Sequence, residues 1–183
     1  MQRHKQHIFK IVLTGPESSG KKMLAKALAD VLKTAWVPEF ARFFVAHLGR
    51  SYVRDDLFQI ARGQMAWEHW YSFLADQVLI CDTDWTVLQI WEHYRFGLPL
   101  NGIWTWQRGY PVDRPADLYL LCAPDFPWQP DPLREHPEER EILFSWYKRL
   151  LQEKNLPYEV LSGNHTDRVS HAISRIKKLS RTL

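Results

Sequence analysis

The sequence predicts an α/β fold built on a five-stranded, mostly parallel sheet, and three observations carry that expectation. Short apolar runs alternate with longer helical ones along the 183 residues, as when crossover helices connect parallel strands. The first helical run keeps its apolar residues on one face, the spacing of a helix packed on a sheet. A glycine-rich turn joins the first strand to that helix, at the sheet edge where such folds bind ligands.

Five strands are expected, at 9–14, 35–37, 78–81, 118–122 and 158–161. The first contains Ile11, Val12 and Leu13 and runs straight into Gly15. Helix 21–33 follows, with Leu24, Ala27, Leu28, Val31 and Leu32 along one face. The second strand ends in Trp36-Val37-Pro38-Glu39-Phe40-Ala41-Arg42. A long helix over 57–76 carries Leu57, Ile60, Ala61, Met65, Trp67, Phe73 and Leu74 and flanks the expected site. The third strand ends in Cys81-Asp82-Thr83-Asp84. Residues 98–115 are rich in Gly, Pro and Trp without a period, which reads as a long excursion before the fourth strand. After that strand, 124–137 is punctuated by prolines and charges, and a helix is expected over 138–152.

The composition, 45% hydrophobic and 25% charged, suits one domain with a sizeable core over residues 1–183. Only a short polar stretch precedes the first strand, so neither a signal peptide nor an upstream domain is expected. No apolar run approaches the ~20 residues needed to span a bilayer. A cytoplasmic location is expected, with no membrane partner. The two cysteines, Cys81 and Cys122, end apolar strands and read as small buried hydrophobes. Net charge is only +3, and the basic residues spread out except for Arg175, Lys177, Lys178 and Arg181. That cluster reads as a solvated helix face, so no nucleic-acid partner is expected.

Gly15-Pro16-Glu17-Ser18-Ser19-Gly20-Lys21-Lys22 has the form of a phosphate-binding P-loop, with two glycines five positions apart followed by Lys. In such loops the backbone wraps a phosphate, amide N–H groups point inward and a helix N-terminus adds its positive end. Lys21 is expected to reach the terminal phosphates. Position 22 breaks the pattern, because the usual Ser or Thr oxygen on magnesium is replaced by an ammonium that has donors and no acceptor.

Other constellations point to the same edge. Asp82 is the expected organiser of magnesium, directly or through water, and Asp84 either helps position the metal or a substrate hydroxyl or caps the following helix. Glu39 fits a general base or a ribose-hydroxyl ligand, and Arg42 a phosphate ligand; the two also fit a surface pair at helical spacing. Arg134, Glu135 and Arg140 read either as a lid closing on the transferred group or as a structural network. Nine tryptophans exceed what the core needs. Trp36, Trp85, Trp104, Trp106 and Trp128 stand out, with Trp36 the candidate to stack on a flat, positively charged ring.

These motifs occur in order with Ile60-Ala61-Arg62-Gly63-Gln64 and Asp125-Phe126-Pro127-Trp128-Gln129-Pro130-Asp131. Over 9–176 the chain resembles the ribosylnicotinamide kinase domain of NadR-type proteins. The resemblance implies a P-loop kinase-like three-layer sandwich with a short lid. It also implies ATP- and Mg2+-dependent phosphorylation of the 5'-hydroxyl of nicotinamide riboside, a small-molecule substrate. By position it assigns Gly15 to Lys21 to the ATP phosphates, Asp82 to the metal, Trp36 and Glu39 to the riboside, and Arg134 with Arg140 to the lid. Residues 162–168 fall beside the adenine. Lys22 departs from the family pattern, which leaves three alternatives: Lys22 pairs with Asp82 in a nucleotide sensor that transfers little, it points outward and leaves magnesium its other ligands, or it partly replaces the metal's charge.

Overall fold

Alternate residues of the strands belong to two different cores, and this places helices on both faces of the sheet. The computed structural model describes residues 7–100, 114–131, 134 and 138–180. Its strands are β1 (Phe9–Thr14), β2 (Trp36–Val37), β3 (Val78–Asp82), β4 (Leu118–Cys122) and β5 (Tyr158–Leu161). All pair in parallel, in the order β2-β3-β1-β4-β5. Among the described residues there are six helices: α1 (Lys21–Leu32), α2 (Phe40–Leu48), α3 (Arg54–Ser72), α4 (Thr86–Phe96), α5 (Arg140–Glu153) and α6 (His165–Ser180).

Ile11, Leu13, Val78, Ile80, Leu118 and Leu120 pack with Leu24, Ala25 and Leu28 of α1 and Ala172 and Ile176 of α6. Val12, Leu79, Cys81, Tyr119 and Leu121 face the other way, toward Ala41, Leu57, Ile60, Leu88, Ile90, Leu143 and Leu150 of α2 to α5. The result is a three-layer sandwich whose strands are apolar on both sides, as buried parallel strands are. Each fully buried Leu or Ile contributes roughly 1.5–3 kcal/mol.

The expected strands are all present. β2 starts one residue late and β3 takes in Asp82. The long helix begins earlier than expected, at Arg54, because the Asp56 carboxylate accepts from Val53 N at 2.8 Å and closes the first turn, and it ends at Ser72. Both cysteines are buried and free, and burial pushes the Cys122 thiol up to about 11. Residues 101–113, within the expected excursion, lie outside the described residues, as do Trp104, Trp106, Glu135 and Arg181. No helix among the described residues is long and apolar enough to cross a membrane.

One buried polar column links the foot of β1 to the ligand edge. Lys10 pairs with Glu68, and Glu68 accepts from Gln64 Nε2 at 3.3 Å. Gln64 also donates to Thr83 O and accepts from Phe40 N at 2.9 Å. It thereby satisfies an orphan N–H at the start of α2. Gly63 is required beside it: a Cβ there would lie 2.0 Å from the Phe40 ring.

Candidate active site

β1, β3 and β4 are neighbours, so Thr14, Asp82 and Cys122 end side by side and their following loops meet. A cavity of about 820 Å³ opens there, within the range of ligand pockets. The phosphate loop forms one end. Gly15 has φ 130°, and a Cβ there would strike Cys122 O at 2.6 Å, so only glycine lets the loop pass the end of β4. Ser18 and Gly20 have positive φ, 53° and 80°, the local reversals of hand from which anion-binding nests are built. Lys21 Nζ donates to Gly15 O at 2.8 Å and Pro16 O at 2.6 Å, holding its ammonium over the loop.

The loop is clamped from two sides. Trp128 Nε1 donates to Glu17 at 2.8 Å, Gln129 N donates to Ser18 Oγ at 3.2 Å, and the Phe126 ring lies against Gly20. Arg168, 1% exposed, donates to Ser19 O at 2.8 Å, Ala123 O at 2.9 Å and Asp125 at 2.9 Å, and lies over the Phe126 ring. His165 lines the cavity at the start of the same helix.

Glu39, Arg42 and Asp82 also line the cavity. Burial first, then the nearby Glu39 carboxylate, pushes Asp82 up to about 7, while Lys21, Arg42 and Lys22 pull it down. Arg42 donates to both oxygens of Asp131, at 3.0 and 2.9 Å, and lies 3.9 Å from Glu39. The pair with Glu39 at helical spacing is therefore present, and the same guanidinium ties α2 to the 125–131 segment. Arg134 lines the cavity and donates to Gln129 O at 2.7 Å. Arg140 does not line it; its guanidinium props the Phe126 carbonyl at 2.7 Å.

Two expected substrate residues stand elsewhere. Trp36 packs with the α1 and α6 core, with the Lys26 ammonium 5.5 Å from its ring, and is not among the lining residues. The physical reason is strand alternation, since Val37 rather than Trp36 points to the α2 side. Asp84, 1% exposed, accepts from Thr86 N at 2.9 Å and from the Tyr119 hydroxyl at 2.9 Å, so it caps α4 inside the core.

The far end of the cavity is aromatic and cationic, and sequence reasoning missed it. Val87, Ile90, Trp91, Tyr94 and Arg95 form one face of α4. Their spacing of three and four residues was the available signal. Arg50 and Tyr52 complete that end. Arg50 is held by two hydrogen bonds to Asp56, at 2.6 and 3.0 Å, and its guanidinium keeps the Asp56 carboxyl below the usual range. The Arg95 guanidinium lies 4.0 Å from the Tyr52 ring centre, and the Tyr52 and Trp91 rings are 5.6 Å apart.

The donor set does not match the magnesium site that the resemblance implies. Position 22 offers an ammonium, and no cluster of three His, Cys, Asp or Glu side chains that could hold a metal occurs among the described residues.

The parallel sheet, the glycine loop opening α1 and the charged cavity above them define a P-loop protein with a kinase-like fold. The family described as AAA domain matches residues 10–168, and the chain belongs to that family. Crystal structures of NadR protein share the fold. The one in complex with NAD and AMP-PNP has a TM-score of 0.74 and the one in complex with NR 0.76, each at 21% identity. Both matches cover 93% of this chain and 49% of the other, so the chain spans about half the length of the NadR chains. Thymidylate kinase from Ehrlichia chaffeensis matches with a TM-score of 0.66 at 12% identity, over 93% of this chain and 99% of that one.

Proposed function

We propose that this chain transfers the terminal phosphoryl group of ATP to the ribose 5'-hydroxyl of nicotinamide riboside. The observation that carries the reading is a single cavity running from the phosphate loop, past Glu39 and Asp82, to the aromatic end at Tyr52 and Trp91. On this reading donor, base and acceptor share that one cavity. The NadR proteins of like fold were crystallised with NR, NAD and AMP-PNP, which supports both ligand classes.

In the proposed reaction, the acceptor oxygen forms a bond to the γ-phosphorus as the bond from that phosphorus to the ADP oxygen breaks. The hydroxyl proton passes to Asp82 or Glu39. A carboxylate raised to about 7 by burial suits that task, because a base works best with a pKa near the working pH. Lys21, Lys22 and Arg134 supply positive charge along the phosphates, and electrostatic stabilisation carries most of the catalysis in this reaction class. The Phe126, Trp128 and Gln129 segment covers and clamps the phosphate loop, with Arg140 bracing it. Trp91 replaces Trp36 as the partner for a cationic ring.

Lys22 favours a second reading, a nucleotide-binding sensor that transfers little. ATP consumption with and without nicotinamide riboside, for the natural chain and Lys22→Ser, separates the two. Riboside-dependent consumption by the natural chain sinks the sensor; consumption only by the variant sinks the kinase.

A further inference from the structure

We propose that this chain holds the phosphates of its nucleotide without a divalent cation, with the Lys22 ammonium taking the metal's place at the terminal phosphates. The inference rests on the nucleotide-binding part of the reading above and not on the identity of the acceptor.

Lys22 is the second residue of α1, directly after the loop lysine, and it is exposed and lines the cavity beside Lys21. It has no carboxylate partner among the described residues and is free to turn toward a polyanion. An ammonium gives three N–H donors and has no lone pair. It can therefore bind phosphate oxygens directly, in the manner of the loop lysine, and cannot ligate a metal. Lys22 shares the lining of one cavity with Lys21, Arg42 and Asp82. A dication placed between the phosphates and Asp82 would share that lining with three positive charges, and like charges repel. Arg134 adds a further guanidinium to the lining. Charge that other P-loops borrow from a metal is thus built into the chain.

The acidic side agrees. Asp84, which could have been a second metal-organising carboxylate on this edge, has both oxygens engaged by Thr86 and Tyr119. Glu39 lies beside Arg42, which is also bound to Asp131.

The test is binding of AMP-PNP, which keeps turnover out of the readout, followed by tryptophan fluorescence or calorimetry in EDTA and in magnesium. For the natural chain the two dissociation constants are expected to agree within about threefold, while Lys22→Ser binds about tenfold more weakly in EDTA, the worth of a charged hydrogen bond, and regains affinity with magnesium. Lys22→Arg, which keeps the charge, is expected to behave as the natural chain. Because Lys22 is exposed, circular dichroism of the variants should match the natural chain. A natural chain that loses tenfold or more in EDTA, or a Lys22→Ser chain unaffected by EDTA, overturns the proposal. No binding in either buffer overturns it together with the nucleotide-binding reading. Metal-independent binding without phosphorylation of nicotinamide riboside overturns only the kinase reading and upholds this one.

Discussion

The two ends of the cavity are built in opposite ways. The phosphate end is one contiguous stretch, Gly15 to Lys22, whose shape is over-determined by Gly15 against the β4 backbone, by Phe126 against Gly20 and by the buried Arg168. The aromatic end is assembled from two distant segments, Arg50 to Tyr52 and the face of α4, and its charged groups, Arg50 and Arg95, are exposed. A rigid end suits a ligand part that never changes, the phosphates. An end whose charged groups are exposed and stand on separate elements can alter its ligand without disturbing the sheet.

The sharpest break of this comparison is Lys21→Ala. Removing one fixed charge from preorganised phosphate binding is expected to cost about 10²–10³ in kcat, measured as riboside-dependent ADP formation with the melting curve unchanged. A loss under tenfold would mean that the phosphate end is less committed than its geometry implies.

Arg168→Ala asks whether that end is held by its buried clamp. The variant strips donors from Ser19 O and Ala123 O and leaves Asp125 without its cation, so about 3 kcal/mol of stability should go, by analogy with other broken buried pairs. Denaturant unfolding reads it. A loss below about 1 kcal/mol would place the clamp among ordinary surface pairs.

At the aromatic end, Trp91→Ala is expected to raise the riboside KM by about tenfold while leaving the ATP KM in place, the sign of a lost stacking contact. Trp36→Ala should leave both constants alone, since its ring lies against Lys26 on the opposite side of the sheet. The reverse pattern would restore the sequence-based assignment.

The smallest effect concerns pH. Burial raises Asp82 to about 7, so between the usual carboxylate range and that value the folded chain keeps a proton that the unfolded chain has released. Stability therefore falls as pH rises through that window and levels off above it. Asp82→Asn should flatten this part of the slope in thermal melts taken from about pH 4 to about pH 8; an unchanged slope would show that Asp82 is not the buried group responsible.

The strand positions, the loop and the placing of Lys21, Asp82 and Glu39 at the cavity were legible because each follows from neighbours in the chain. An apolar run ending in a carboxylate places that carboxylate at the sheet edge wherever the strand sits. That Trp36 lies away from the cavity lining was not legible, because residue type does not say which face of a two-residue strand points to the ligand edge; a one-residue shift of phase exchanges the two layers. Asp84 sits two residues from Asp82 and could equally have served the site, until Tyr119, thirty-five positions away, claimed its second oxygen. The Tyr52 and Trp91 end was hidden because it exists only after α3 has brought its own start beside α4.

By itself, then, the sequence determined a parallel α/β sheet with a phosphate loop at its edge and an ammonium at position 22, since all of these depend on local order alone. Tertiary structure decided which aromatic rings meet the cavity, which carboxylates the core consumes and which arginines line the cavity or stand outside it. Those outcomes depend on side-chain direction and on partners far apart in the chain, quantities set by packing and not by any short run of residues.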